Sequence, residues 1–265
     1  MKNIIWFSVI LILSLFVIPA FQSVSALSVV ATIPVITDSK NMAYDSGKGE
    51  LFVVSAYSGT VSVISDATNT VVATIPVGSG PTGVAYDSGK GELFVVNSAS
   101  NTVSVISDAT NTVVATIGAE GIVPDSVAYD SGKGELFVGY YSSGTVSVIS
   151  DATNTVVATI PVGKITVGIA YDSGKGELFV IGEYSAVVIS DATNTVVATI
   201  PVGTIGNVAY DSGKGELFVV NSGGTVSVIS DATSAVPEFP FTVPILLVSF
   251  VSVIVFYRIR KSTIL

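Results

Sequence analysis

Four carboxylates stand in segments that the rest of the chain does not duplicate: Asp38, Glu120, Asp125 and Glu183. Glycoside cleavage needs two or three non-equivalent carboxylates at a defined separation, one giving a proton and another attacking or activating water. These four keep such a reaction open. Other chemistry is excluded by residue type. The 265-residue chain has no His and no Cys, which removes Ser-His-Asp and Cys-His catalysis together with imidazole and thiolate metal ligands. A haem-dependent oxidoreductase would lack its ordinary axial and attachment residues. No cofactor and no metal site is expected.

A second set of polar residues is copied. The phrase Ala-Tyr-Asp-Ser-Gly-Lys-Gly-Glu-Leu-Phe-Val begins at Ala43, Ala85, Ala128, Ala170 and Ala209, at spacings of 42, 43, 42 and 39 residues. Its Asp45-Ser46-Gly47-Lys48-Gly49-Glu50 turn lacks alternating oxygen ligands for calcium, and its Lys would repel a cation. Nor is it a phosphate-binding loop, because Glu50 stands where Ser or Thr should follow Gly-Lys. A hairpin turn with local charge pairing fits better. Asp66 and its equivalents read as residues that bond the nearby backbone of their own turn.

Between residues 27 and 236 there are 19 Asp and Glu against 7 Lys and no Arg, a net charge of about −12. Phosphate recognition needs a basic surface, so nucleic acid is not an expected partner.

One repeat supplies the elements that would position these groups. Gly83–Tyr86 reads as a strand and Asp87–Gly91 as a turn; Glu92–Val96 and Thr102–Ser107 are the next strands. Asp108–Asn111 turns the chain into a fourth strand, Thr112–Ile117. Val, Ile and Thr favour strands, while Gly, Asn and Asp mark turns. Four short antiparallel strands every 42 residues or so describe a β-propeller blade. The expected fold is all-β, a five-bladed propeller of four-stranded antiparallel blades. The fifth repeat lacks the fourth-strand phrase, and residues 29–35, Val-Val-Ala-Thr-Ile-Pro-Val, supply it at the other end. Pairing of that segment with residues 225–230 would close the ring and remove exposed edges.

The repeats resemble the Tyr-Val-Thr-Asn (YVTN) class of prokaryotic surface propellers. Phe94-Val95-Val96-Asn97 and Phe218-Val219-Val220-Asn221 occupy the naming tetrapeptide, and Ile75-Pro76-Val77-Gly78 matches the repeat ending. The resemblance covers residues 28–233 and implies a surface-exposed binding or structural scaffold, though such propellers commonly have seven blades.

The ends read as membrane segments. Residues 1–26 have the positive start, apolar run and Val24-Ser25-Ala26 cleavage site of a secretory signal. The propeller would occupy 27–234 and a spacer 235–240. A transmembrane helix would span 241–257, ahead of a basic cytoplasmic tail at 258–265. Pro237-Glu238-Phe239-Pro240, the apolar run and Arg258, Arg260 and Lys261 resemble archaeal C-terminal sorting signals of the Pro-Glu-Phe class. Both ends imply a membrane-anchored protein with its repeats outside the cell.

Antiparallel alternation puts the copied turns on one face and the variable loops on the other. The variable side carries the candidate binding residues Tyr57, Asn97, Tyr140, Tyr141, Glu183, Tyr184 and Asn221. Tyr combines an apolar ring with a hydrogen-bonding tip, suited to a protein or glycan ligand. The expected function is a non-enzymatic envelope, adhesion or ligand-binding scaffold, with the glycan-cleaving enzyme as the alternative.

Overall fold

A computed structural model describes residues 28–230, apart from 164–165, 204 and 222. The expected signal peptide, spacer, C-terminal helix and basic tail lie outside the described residues. Every regular element among the described residues is a strand. The first blade is β1 (Ser39–Asp45), β2 (Glu50–Ser55), β3 (Thr60–Ser65) and β4 (Thr70–Pro76); the second is β5 (Pro81–Asp87), β6 (Glu92–Asn97), β7 (Thr102–Ser107) and β8 (Thr112–Gly118). The third is β9 (Pro124–Asp130), β10 (Glu135–Tyr140), β11 (Thr145–Ser150) and β12 (Thr155–Pro161); the fourth is β13 (Thr166–Asp172), β14 (Glu177–Gly182), β15 (Ser185–Ser190) and β16 (Thr195–Pro201). The fifth has three strands, β17 (Ile205–Asp211), β18 (Glu216–Asn221) and β19 (Thr225–Ser230). Neighbours within each sheet are antiparallel and follow chain order, which is the five-bladed propeller fold the repeat predicts.

The core lies between blades. Phe52, Val54, Val61, Val63 and Ile75 on the trailing face of blade 1 pack with Val84, Leu93, Val95 and Ile106 on the leading face of blade 2. Equivalent clusters join blades 2 and 3, 3 and 4, and 4 and 5. This is why the middle strands are apolar on both sides: a sheet buried on both faces cannot alternate apolar with polar. Each junction also stacks a Phe on the next blade's Tyr, as in Phe52 with Tyr86 at 6.5 Å between ring centroids and Phe179 with Tyr210 at 5.8 Å.

The expected closure is not formed. Residues 28–37 carry no strand, and Val29 and Val30 are 85% and 92% exposed. The physical reason is at blade 1. The segment leading into β1 is tied to that blade by Ala56 N–H donating to the Asp38 carbonyl and Ser55 Oγ–H donating to the Ile36 carbonyl. A strand just upstream can therefore complete only a blade seated beside blade 1. On that side of blade 1 the inner strand is open, with Met42 and Tyr44 exposed where Tyr86, Tyr129 and Tyr171 are partly covered, while Val53 and Ile64 farther out are buried.

Candidate functional site

Two faces emerge from the backbone bonding. On one, the turn between the third and fourth strands is tied to the turn between the first and second, as in Asp108 N–H to the Gly91 carbonyl and Asp151 N–H to the Gly134 carbonyl. On the other, the loop between the second and third strands is tied to the blade connections, as in Ser98 N–H to the Gly80 carbonyl and Tyr141 N–H to the Val123 carbonyl. The copied turns and the variable loops thus sit at opposite ends of the blades.

The copied face is a set of clasps between blades. The Asp45 side chain accepts the Gly47 and Lys48 amides at 2.8 and 3.3 Å, which folds the turn and aims Lys48 outward. Lys48 Nζ then reaches Asp108 Oδ1 of blade 2 at 2.9 Å. Lys90 pairs likewise with Asp151, and Lys133 with Asp191. The second oxygen of Asp108 accepts the Tyr86 hydroxyl at 2.9 Å. The charge pairing expected within each turn is therefore made across the junction, and Asp66 and its equivalents bind a Tyr side chain of their own blade. Burial first, then the flanking Asp108 and Asp45 carboxylates, push the Tyr86 phenol far above its ordinary range. Tyr129 and Tyr171 are shifted the same way for the same reasons. Regular spacing of Lys at turn position four and Asp at the later turn was the signal available in sequence, but it does not say which blade each Lys reaches.

The variable face divides the candidate binding residues. Tyr57 is 87% exposed, Tyr184 51% and Tyr141 45%. Ile122, in the connection between blades 2 and 3, is also exposed. Glu183 is half-buried beside Tyr184. The other three are held by the sheet. Tyr140 is fully buried, with Gly121 held so close that an added Cβ would stand 2.4 Å from the ring. Asn97 is buried and donates through Nδ2 to Thr102 Oγ1 and Ser104 Oγ at 3.1 and 3.0 Å. Asn221 repeats this with Thr225 and Ser227 at 3.0 Å each. These Asn side chains bond β6 to β7 and β18 to β19; Asn97 is buried, whereas Asn221 keeps partial exposure. A shallow cavity of about 310 Å³ opens at the rim, lined by Pro76, Val77, Gly78, Thr102, Ser104, Val113 and Thr116.

The four non-repeated acids lie in different surroundings. Asp38 is paired with Lys40 at 2.7 Å, Glu120 is exposed, and Glu183 lies on blade 4. Asp125 sits at the start of β9, half-buried, and desolvation raises its carboxyl above the usual carboxylate range. Among the described residues no group of three or more acids is placed to hold a metal ion.

Solved structures share the fold. Hydrazine synthase of Kuenenia stuttgartiensis matches with a TM-score of 0.63 at 15% identity, over 78% of this chain and 70% of that one. The Cps50 (Swd1) β-propeller domain of Myceliophteria thermophila matches with a TM-score of 0.63 at 12% identity, over 75% and 67%. The WD40 β-propeller domain of Doa1 matches with a TM-score of 0.62 at 16% identity, over 73% and 64%. This chain is a β-propeller. No family model and no curated protein matches the sequence. At such identities the likeness shows the propeller fold alone, and one of these neighbours belongs to an enzyme while the others are propeller domains.

Proposed function

We propose that this propeller is a non-enzymatic binding scaffold of the cell surface, of the YVTN type, that takes an extracellular protein or glycan ligand on its variable face. The observation that carries this is the exposure of Tyr57, Tyr141 and Tyr184 in single-copy loops on one end of the blades. On the opposite end, the copied Lys and Asp side chains are occupied in holding blades together. Exposed aromatic rings backed by rigid sheet make effective contact area at low entropic cost. Anchoring by the apolar C-terminal segment and export by the leader are the sequence-based parts of this reading.

Glycan and peptide arrays probed with the full chain in mild detergent test it. Tyr57→Ala, Tyr141→Ala or Tyr184→Ala should each weaken a captured ligand by about 1–3 kcal/mol where the ring is an anchor. Lys90→Ala in the copied turns should leave affinity unchanged. The opposite ranking would move the site to the copied face.

A further inference from the structure

One blade connection departs from the pattern of its neighbour. Between blades 1 and 2 the chain passes through Ser79 and Gly80, and between blades 2 and 3 through Ile122 and Val123. Backbone bonding makes the two pairs equivalent. Ser98 and Ala99 N–H donate to the Gly80 and Ser79 carbonyls, as Tyr141 and Ser142 N–H donate to those of Val123 and Ile122. Gly80 and Val123 both have a left-handed backbone, with φ +63° and +60°. Gly takes that conformation without steric conflict, whereas a β-branched residue takes it only against strain, and a following Pro restricts it further. Among the described residues, every other non-Gly residue with a positive φ is Asn or Asp.

Both flanking blades clamp the strained residue. Val123 N–H donates to Asn101 Oδ1 at 2.9 Å and Ala119 N–H to the Asn101 carbonyl at 3.0 Å, both from blade 2. Tyr141 N–H of blade 3 reaches the Val123 carbonyl at 2.9 Å. Strain persists where the surroundings over-determine it, and such positions gather at ligand contacts. The exchange also changes what the surface offers. Ile122 is 62% exposed at the place of Ser79, and Tyr141 is 45% exposed at the place of Ser98. Two hydroxyls are replaced by an aliphatic chain and a ring, side by side, on a backbone fixed before any partner arrives. Charge around them has one sign. Glu120 is exposed on the same connection, Asp125 is half-buried just beyond it, and residues 119–126 and 140–144 include no Lys or Arg.

We propose that Ile122, Val123 and Tyr141 anchor a peptide segment of an extracellular protein, with an apolar side chain of that segment lying on them and a flanking Lys or Arg pairing with Glu120. The inference rests on the variable face being the binding face, and it selects protein over glycan. A sugar laid on Ile122 and Val123 would surrender water from hydroxyls that these side chains cannot bond. An apolar side chain gives up no such bonds. A small apolar anchor rimmed by charge is the composition of a protein contact.

The chain's own sequence supplies the test variant. Ile122→Ser with Val123→Gly copies Ser79-Gly80 into the second connection, removing the strain together with the apolar surface, and should melt at or above the parent. A random peptide library displayed on phage is selected on the full chain in mild detergent, with counter-selection on that double variant. The expected peptides carry an aliphatic or aromatic residue flanked by Lys or Arg. Their synthetic versions should bind the double variant about tenfold or more weakly than the parent. Glu120→Gln should weaken them less and flatten their salt dependence. Recovery of no peptide that separates the two chains overturns the proposal, as does an acidic consensus or a double variant that melts well below the parent. Oligosaccharides that bind parent and double variant alike, and are lost on Tyr57→Ala or Tyr184→Ala, overturn it while leaving the variable face as the site. Loss of binding on Lys90→Ala alone would remove the face itself.

Discussion

Lys90 Nζ of blade 2 lies 3.0 Å from Asp151 Oδ1 of blade 3, and the other oxygen of that carboxylate accepts the Tyr129 hydroxyl at 2.8 Å. Asp151 is mostly buried and Lys90 is about two-fifths exposed. The two partners should therefore contribute unequally. Lys90→Met should cost about 1 kcal/mol or less, since a solvated ammonium gains little from pairing. Asp151→Ala strips the Tyr129 hydroxyl and Lys90 of their acceptor at once and should cost about 2–3 kcal/mol. Urea denaturation of the full chain, with added salt weakening only the Lys90 contribution, checks both.

The same junction predicts alkaline unfolding. Tyr86, Tyr129 and Tyr171 have phenol groups raised well above the ordinary value of about 10, by burial and then by neighbouring carboxylates. A raised acid holds its proton longer in the folded state than in the unfolded one. The stabilisation it brings is thus complete below about pH 10 and falls as pH rises toward the folded-state value. Phenolate absorbance from these three side chains should appear together with loss of the β circular-dichroism signal. Ionisation of all three near pH 10 with the sheets intact would contradict the buried junction.

Glycines separate strain from simple spacing. Gly91 has φ +66°, and an added Cβ would stand 2.7 Å from Asp108 Oδ1. Gly91→Ala combines a left-handed backbone with a push against the clasp carboxylate and should cost about 1–2 kcal/mol. Gly118, at the end of β8, has nothing within 4 Å of its Cβ position. Gly118→Ala should be neutral or stabilising by about 0.5 kcal/mol, because only the unfolded chain loses freedom. Thermal melts of the two variants check the contrast.

The blade was legible in the sequence because the repeat constrains it five times over. The strand bounds of the second repeat agree with β5 to β8 within about two residues at each end, and the loop faces follow from alternation alone. Closure was not legible in the same way. Complementary phrases at the two ends read as one blade, yet residues 28–37 carry no strand. The site was half legible for a different reason. Tyr140 and Tyr141 are adjacent in a loop by composition, yet strand β10 runs through Tyr140 and its side chain turns inward against Gly121. Likewise Asn97 and Asn221 read as loop amides, whereas Thr102 and Ser104, or Thr225 and Ser227, hold them against the sheet.

Those adjacent tyrosines give the sharpest separation of scaffold from surface. Tyr140 is fully buried among Phe94, Val96, Val138 and Ile117 in the junction between blades 2 and 3, whereas Tyr141 is nearly half exposed. Tyr140→Ala leaves a ring-sized cavity and should cost about 3–5 kcal/mol. Tyr141→Ala removes a surface ring and should change stability by no more than about 0.5 kcal/mol. Gly121→Ala should resemble Tyr140→Ala in kind, because its Cβ must displace the ring. Ligand capture reverses the order: Tyr141→Ala should lower it in a fold that melts like the parent, and Tyr140→Ala should lower it only as the fold is lost. Measuring melting and capture on the same preparations decides the matter. A Tyr141→Ala chain that melts early and a Tyr140→Ala chain that does not would place the inward and outward sides of this strand the wrong way round.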